Sequence, residues 1–216
     1  MRRGSRQTGV RLLIAAGPTR EYIDPVRYIS NDSSGRMGFA LARAAHGLGA
    51  DVTLVAGPVD LEAPEGVEGI AVTSAREMQE VMLKEGRRAD IIIMVAAVAD
   101  WRPARFSKRK LKRTNGRTDK RTIELKQNPD ILADLCKKRR PGQRIIGFAL
   151  ETADLMKNAR KKLKAKGCDW IVANKANAIG AKVSKAILMN KDGKKISLPK
   201  LPKEDLAVVI LSHVMC

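Results

Sequence analysis

Short segments in which nearly every residue is apolar recur along this chain, and each ends at a turn or a polar loop. Two of them are residues 10–16, VRLLIAA, and residues 90–95, DIIIMV. A run of this length without regular polar alternation is typical of a strand that is covered on both faces, as in parallel sheets. Segments with helical spacing lie between the runs, as right-handed crossovers require. The pattern predicts an α/β fold with a doubly wound, mostly parallel, Rossmann-like sheet.

The boundaries of the elements follow from the apolar spacing and from the turn residues between them. Ser74 and Glu77 have the spacing of a capping box, which marks a helix start. Another helix is predicted to begin with Asn128 as its N-cap and Pro129 in its first position. The remaining strands are predicted at 51–56, 69–73, 121–126, 144–150 and 169–173, and the helices at 36–48, 75–86, 154–166 and 203–215.

Two segments depart from the strand and helix alternation. A hairpin is predicted at about 185–198, because two alternating runs flank an Asp192-Gly193 turn. The basic segment at about 102–121 is predicted to be a flexible loop or a projecting hairpin. We expect the two to form a small β appendage that mediates dimerisation, within a single domain that spans residues 1–216.

The formal net charge of +19 indicates polyanionic partners such as nucleotides, phosphorylated metabolites or nucleic acid. Ten Lys or Arg and one Asp lie between Arg102 and Arg121. Charge alone does not separate RNA binding from nucleotide chemistry. No transmembrane span or secretory signal is visible in the sequence, so a cytoplasmic location is expected.

Several kinds of site are disfavoured by the residues available. The three cysteines, Cys136, Cys168 and Cys216, have no metal or disulfide spacing, and the chain has two histidines. Cys168 is interpreted as a buried structural thiol. Neither a Gly-x-Gly-x-x-Gly fingerprint nor a P-loop is present, which argues against an ordinary dinucleotide fold or P-loop enzyme.

Polar residues follow several predicted strands at their carboxyl ends, where ligands bind in open parallel sheets. After the first strand comes a loop with many polar side chains that could serve one site. A helix then begins near Ser34-Gly35, and a helix start after such a loop is suited to hold an anion. We therefore predict a phosphate-binding cradle at Ser33, Ser34 and Gly35. The polar residues of the loop are Arg20, Glu21, Arg27, Asn31, Ser33, Ser34 and Arg36.

These motifs resemble those of phosphopantothenoylcysteine synthetase (phosphopantothenate–cysteine ligase), in many bacteria the C-terminal half of a bifunctional coenzyme A biosynthesis protein. The resemblance covers about residues 10–212. The matching stretches are Gly17-Pro18-Thr19-Arg20-Glu21, Asp24 to Asn31, Ser33-Ser34-Gly35, Met37-Gly38, Ala96 to Trp101, Lys110-Leu111-Lys112, Asn128 to Leu132, Gly147 to Thr152 and Val172-Ala173-Asn174.

The resemblance implies a two-step ligase reaction. CTP activates the carboxylate of 4'-phosphopantothenate as an acyl-cytidylate and pyrophosphate leaves; the amine of cysteine then attacks the acyl group and CMP leaves. Mg²⁺ should accompany the triphosphate, bound mainly by phosphate oxygens, and its protein ligands stay unknown. A homodimer is expected. No flavin-dependent decarboxylase half precedes the matching region, so we expect a stand-alone enzyme or the second half of a fused chain.

The resemblance also assigns roles to individual residues. Asn31 matches the catalytic asparagine, whose amide donates to the acyl or phosphoryl oxygen, and Lys110 matches a lysine on a loop that closes over the triphosphate. Substrate-binding positions are Asn31, Ser33, Ser34, Gly35 and Ala96. Nucleotide-binding positions are Gly17, Ala96, Ala97, Asp100, Lys110, Asn128, Pro129, Asp130, Ile131, Phe148, Lys162 and Lys166.

Alternatives remain at this stage. A basic nucleic-acid-binding module would account for the charge, but the seven aromatic residues of the chain are few for base stacking. An NAD(P)-dependent reductase lacks its glycine fingerprint. The choice between CTP and ATP is not decided by any residue spacing.

Overall fold

The computed structural model describes residues 9–112, 121–151, 153–175 and 183–215. Within these residues, six parallel strands and two antiparallel strands form one central sheet. In chain order the strands are β1 Arg11–Ala16, β2 Arg20–Tyr22, β3 Tyr28–Ser30, β4 Asp51–Ala56, β5 Glu68–Ala71, β6 Ile91–Met94, β7 Trp101–Pro103, β8 Leu125–Gln127, β9 Arg144–Glu151, β10 Trp170–Lys175, β11 Val183–Ser184, β12 Ala186–Asn190, β13 Lys195–Ser197 and β14 Leu201–Pro202. The helices are α1 Arg36–Gly47, α2 Ala75–Glu85, α3 Ile131–Lys137, α4 Leu155–Lys166 and α5 Lys203–Val214.

The order of the sheet is β13-β12-β10-β9-β6-β1-β4-β5. Its parallel part begins in the middle with β1, grows to one side through β4 and β5, and then to the other through β6, β9 and β10. Such an order is doubly wound, and it has a topological switch point between β1 and β6. The predicted Rossmann-like sheet is confirmed.

Both faces of the sheet are buried, which explains the apolar runs. Along β1, Leu12 and Ile14 pack against α1 and α5, whereas Leu13 and Ala15 pack with α2 and α3 on the opposite face. Because side chains alternate between the two faces of a strand, a strand covered on both sides needs apolar residues at consecutive positions.

The predicted β appendage is wrong in one respect. The two strands around the Asp192-Gly193 turn are β12 and β13, and β12 pairs antiparallel with β10, so this hairpin extends the edge of the main sheet. The basic segment contains β7, which pairs with β8, while residues 113–120 of the predicted loop lie outside the described residues.

Asn128 is not a helix N-cap. The cap of α3 is Asp130, whose carboxylate accepts a hydrogen bond from the N–H of Ala133 at 3.0 Å, and the helix begins at Ile131. Asn128 instead donates its side-chain amide to the carbonyl of Ala99 at 2.8 Å and accepts from Arg102 at 2.9 Å. Tertiary partners hold this amide, so the helix starts two residues later.

Candidate functional site

A cleft lies beyond the carboxyl ends of the strands at the switch point between β1 and β6. It has two adjoining parts, each of about 480 Å³, which share five lining residues. The shared residues are Ala96, Val98, Asp100, Phe148 and Lys162. The segments that follow β1 and β6 and the carboxyl-terminal half of β9 therefore line one cavity, at the strand ends where a site was predicted.

The first part of the cleft contains the start of α1. Gly35 is the N-cap of this helix, and its φ of 72° is a left-handed conformation that glycine adopts without steric strain. Among the described residues no side chain caps the helix, and its first turn contains no acidic residue. The unpaired N–H groups of a helix start favour an anion. Asn31, Asp32, Ser33 and Ser34 line the cavity beside this helix start.

Two side chains join the loop after β1 to the loop after β6. Asn31 donates its side-chain amide to the carbonyl oxygens of Ala97 at 3.2 Å and Val98 at 3.0 Å. The hydroxyl oxygen of buried Thr19 accepts from the N–H of Ala99 at 3.0 Å. The loop of residues 96–100 is thus held at the cleft by bonds from a loop more than sixty residues earlier.

The second part of the cleft is lined by the start of α3 and by one face of α4. Lys166 forms an ion pair with the capping carboxylate of Asp130. Lys162 donates from Nζ to the carbonyl of Phe148 at 2.7 Å. Burial lowers the pKa of Lys162, and the neighbouring charge of Lys166 lowers it further. Lys162 thereby lines both parts of the cleft, and Lys166, one helical turn away, lines the second part.

Most of the residues assigned by resemblance line this cleft. In the first part lie Asn31, Ser33, Ser34, Gly35, Ala96, Ala97, Asp100, Phe148 and Lys162, and in the second Ala96, Asp100, Asn128, Pro129, Asp130, Ile131, Phe148, Lys162 and Lys166.

Gly17 and Lys110 lie outside the lining. Gly17 is buried beneath the loops, and its carbonyl accepts from the N–H of Ala97 at 2.8 Å. Lys110 is exposed, next to a residue that is bound to Asp24.

Part of the predicted polar loop after β1 forms the β2–β3 hairpin, and some of its polar residues have structural partners instead of a place in the cleft. Buried Glu21 accepts from the N–H of Ala75 at 2.9 Å and so helps to cap α2. Arg27 pairs with Asp24. The guanidinium carbon of Arg20 lies 4.6 Å from the centroid of the Tyr28 ring. Glu21 looks chemically functional in the sequence because its partner, Ala75, lies 54 residues away.

Three buried polar residues of the cleft were absent from the predicted site. Asn174, at 8% exposure, belongs to the matching stretch Val172-Ala173-Asn174 but has no predicted role in the site; Ser184, at 4%, and Lys203, at 7%, have no sequence signal. All three line the first part of the cleft. Ser184 lies in a strand of two residues and Lys203 in the first turn of α5, so neither belongs to a recognisable motif.

Other kinds of site find little support in the described residues. No group of three or more His, Cys, Asp or Glu side chains in them is arranged to hold a metal ion. Cys168 is buried, as predicted, and shares a hydrogen bond with Cys136; this bond and burial raise the pKa of Cys168. Among the helices described, none has the length and apolar character needed to cross a bilayer.

The fold and the cleft define a Rossmann-like α/β protein whose site, with an uncapped helix start and several cations, is suited to phosphorylated ligands. The chain belongs to the family of the DNA/pantothenate metabolism flavoprotein C-terminal domain, whose pattern matches residues 7–216. It is 46% identical over 207 residues to the coenzyme A biosynthesis bifunctional protein CoaBC of Vibrio cholerae, a match of 94% of this chain and 51% of that protein. The same protein of Bacillus subtilis is 46% identical over 211 residues, 95% of this chain and 51% of that protein. The chain spans about half the length of these relatives.

Solved structures agree with the sequence comparison. The crystal structure of the C-terminal domain of CoaBC superimposes with a TM-score of 0.83 at 39% identity, covering 98% of this chain and 96% of that one. A Cab2 variant in complex with phosphopantothenate-cysteine has a TM-score of 0.78 at 16% identity, covering 95% of this chain and 85% of that one, and shows a shared fold. The resemblance to the synthetase half of CoaBC is confirmed.

Proposed function

We propose that this chain carries the phosphopantothenate–cysteine ligase activity of coenzyme A biosynthesis. The observation that carries the proposal is the convergence of Asn31, the loop 96–100, the start of α3 and the lysines of α4 on one cleft at the switch point. These are the positions that the resemblance assigns to substrate and nucleotide. The CoaBC relatives and the Cab2 complex with phosphopantothenate-cysteine support the pathway.

In the first step, a carboxylate oxygen of 4'-phosphopantothenate attacks the α-phosphorus of CTP, an acyl-cytidylate forms, and pyrophosphate leaves. In the second step, the amine of cysteine attacks the acyl carbon, an amide forms, CMP leaves and the amine loses a proton. Both steps build negative charge on phosphoryl or acyl oxygens. Donors held in advance where that charge develops are the main way a protein accelerates such steps.

The cleft supplies donors and cations for this chemistry. Lys162 and Lys166 would neutralise the triphosphate, and the open start of α1 would hold a phosphate. The amide nitrogen of Asn31 donates to Ala97 and Val98, so it must exchange one of these carbonyls for a substrate oxygen to act as a donor. Lys110, exposed on its loop, would complete the site by moving over the triphosphate.

Mg²⁺ is proposed to enter the site bound to the triphosphate, so it needs few ligands from the protein. Asp100 fits this role because its carboxylate lines the shared region of the cleft and accepts no hydrogen bond within the described residues. The metal would shield phosphate charge while the side chains orient the reacting groups.

A homodimer is proposed on a surface that includes the start of the basic segment, as expected, but not the 185–198 hairpin. The hairpins β2–β3 and β7–β8 pack against each other. They and their neighbouring loops expose large apolar side chains. These are Tyr22, Val26, Tyr28, Trp101, Phe106 and Leu125. A patch of this kind marks an interaction surface, and sedimentation of the protein with and without Tyr22→Ser and Trp101→Ser would test it.

The test of the proposed function is pyrophosphate release with phosphopantothenate and Mg²⁺, comparing CTP with ATP and with or without cysteine. CTP-dependent release of one equivalent without cysteine, and turnover with it, would support the two-step ligase. Removing a transition-state donor by Asn31→Ala should lower the rate about 10²–10³-fold. Asn190→Ala, at a hairpin turn outside the cleft, is the matched control.

Preference for ATP would retain the ligase and reject CTP. Absence of turnover with either nucleotide, in folded protein, would reject the ligase. Nothing in the cleft favours the alternative of a nucleic-acid-binding module, and the metabolic relatives argue against it.

A further inference from the structure

Ser184 and Asn174 carry buried polar atoms without partners at one end of the cleft. The hydroxyl oxygen of Ser184 and the side-chain oxygen of Asn174 are buried and have no hydrogen-bond partner within the described residues. A polar atom hidden from water without a partner costs about 1–3 kcal/mol, so such atoms are normally paired. Both residues line the same cavity as the start of α1. Their free hydrogen-bonding capacity is therefore available to a ligand in this cavity.

Lys203 brings a positive charge to the same place. The residue is 7% exposed, and within the described residues its side chain forms no ion pair or hydrogen bond. Desolvation lowers the pKa of Lys203, the charge of Arg36 lowers it further, and Glu204 opposes both without forming an ion pair. The charge of a lysine this far removed from solvent is expected to be paired, and two neighbouring cations without a bonded carboxylate attract an anion.

The last strands and the last helix of the chain bring Ser184 and Lys203 together. Ser184 lies in β11, which pairs with β14, and Lys203 follows β14 directly as the first residue of α5. Both residues thereby line the cavity that contains the open start of α1.

We propose that Ser184 and Lys203 form a phosphoryl-binding subsite in this cleft, additional to the nucleotide and substrate positions assigned by resemblance. The chemistry recognised is a phosphate oxygen, which accepts from both the ammonium group and the hydroxyl. The identity of the bound phosphate rests on the proposed function: it belongs either to phosphopantothenate or to the polyphosphate tail of CTP.

The test measures dissociation constants by calorimetry for the wild type and for Lys203→Met, Ser184→Ala and Lys200→Met. Lys200 is exposed and lies outside the cleft, so its variant is the matched control for loss of one lysine. A hydrogen bond to a charged group contributes enough that Lys203→Met should weaken binding about ten- to a hundredfold. Ser184→Ala should weaken it by a smaller factor, and Lys200→Met should leave it unchanged.

The ligands distinguish the two sources of the phosphate. If loss of affinity occurs with phosphopantothenate and is absent with pantothenate, the subsite takes the monophosphate. If it occurs with CTP and is much smaller with CMP, the subsite takes the polyphosphate. Ser184→Ala keeps the test valid if Lys203→Met does not fold, which circular dichroism would show.

Equal affinities of wild type, Lys203→Met and Ser184→Ala for every phosphorylated ligand would overturn the subsite. A wild type that binds neither CTP nor phosphopantothenate would reject the proposed function instead. In that case inorganic pyrophosphate is the probe, and weaker binding of it by Lys203→Met than by Lys200→Met supports the subsite, while equal binding overturns it.

Discussion

The carboxylate of Asp24 accepts a hydrogen bond from the backbone N–H of Leu111, 3.1 Å away and 87 residues later in the chain. The same carboxylate accepts from the N–H groups of Val26 and Arg27 and forms an ion pair with the Arg27 side chain. Arg27 in turn donates to the carbonyl of Leu111 at 2.6 Å. Asp24 and Arg27 therefore hold both backbone polar groups of the residue that follows Lys110.

We expect Asp24→Asn to impair the reaction without removing any residue from the cleft. Asparagine loses the charge that pairs with Arg27, so the segment carrying Lys110 loses part of its anchor. The turnover number should fall, because Lys110 is proposed to act on the reacting triphosphate, while the KM for phosphopantothenate should change little. Asp51→Asn, an exposed carboxylate in β4, is the control. Unchanged turnover in folded Asp24→Asn would show that this anchor has no part in catalysis.

Gly38→Ala should destabilise the protein by about 1–3 kcal/mol, the usual cost of overpacking. A Cβ at position 38 would collide with the Cβ of Ala16 and come within 3.0 Å of the Val95 side chain, where α1 crosses β1. Gly47→Ala is the matched control in the same helix, because its Cβ would meet nothing within 4 Å. Urea unfolding should show the loss for position 38 and no loss, or a small gain, for position 47. Equal stability of the two variants would contradict this packing.

The pH dependence of stability should include a contribution from Asp90. Hydrogen bonds from Arg11 lower the pKa of Asp90 to about 2, below its ordinary value of 3.8. Because the folded pKa is depressed, the contribution is fully present above about pH 4 and is lost as the pH falls toward 2. Thermal unfolding from pH 7 to pH 2.5 should show a smaller acid-dependent loss for Asp90→Asn than for the wild type. The exposed residue Asp60 provides the control, and Asp60→Asn should retain the wild-type loss.

Lys162→Met should raise the KM for CTP about tenfold or more, as expected when a charge-assisted contact is lost. Lys162 is half-buried at the cleft and is held by the carbonyl of Phe148, whereas its neighbour Lys161 is exposed on the same helix. Lys161→Met removes the same charge outside the cleft and should leave the KM unchanged. Similar effects of the two variants would mean that net charge, and not position, governs nucleotide binding.

Several elements were predictable because their signals are local. The apolar runs of β1, β4 and β6 mark strands covered on both faces, and the Ser74 and Glu77 spacing marks the start of α2, where the Ser74 hydroxyl accepts from the Glu77 N–H at 3.3 Å. Polar residues after consecutive parallel strands also predicted a cleft, because the carboxyl ends of such strands meet at one edge.

Other features depend on partners that are distant in sequence. Asn128 has the form of an N-cap, yet Ala99 and Arg102 occupy its amide, so Asp130 caps α3. Glu21 has the form of a site residue, yet it caps α2 across 54 positions. Local propensity is a weak preference, and a buried tertiary hydrogen bond outweighs it.

The sequence by itself determined the doubly wound sheet, the family and the end of the sheet where the cleft lies, because strand burial and ordered motifs depend on neighbouring residues. The tertiary structure alone decided that β12 and β13 extend the main sheet and that Ser184 and Lys203 enter the cleft. The physical reason is that strand pairing and cavity lining bring together residues from separate parts of the chain, and neither leaves a pattern among neighbouring residues.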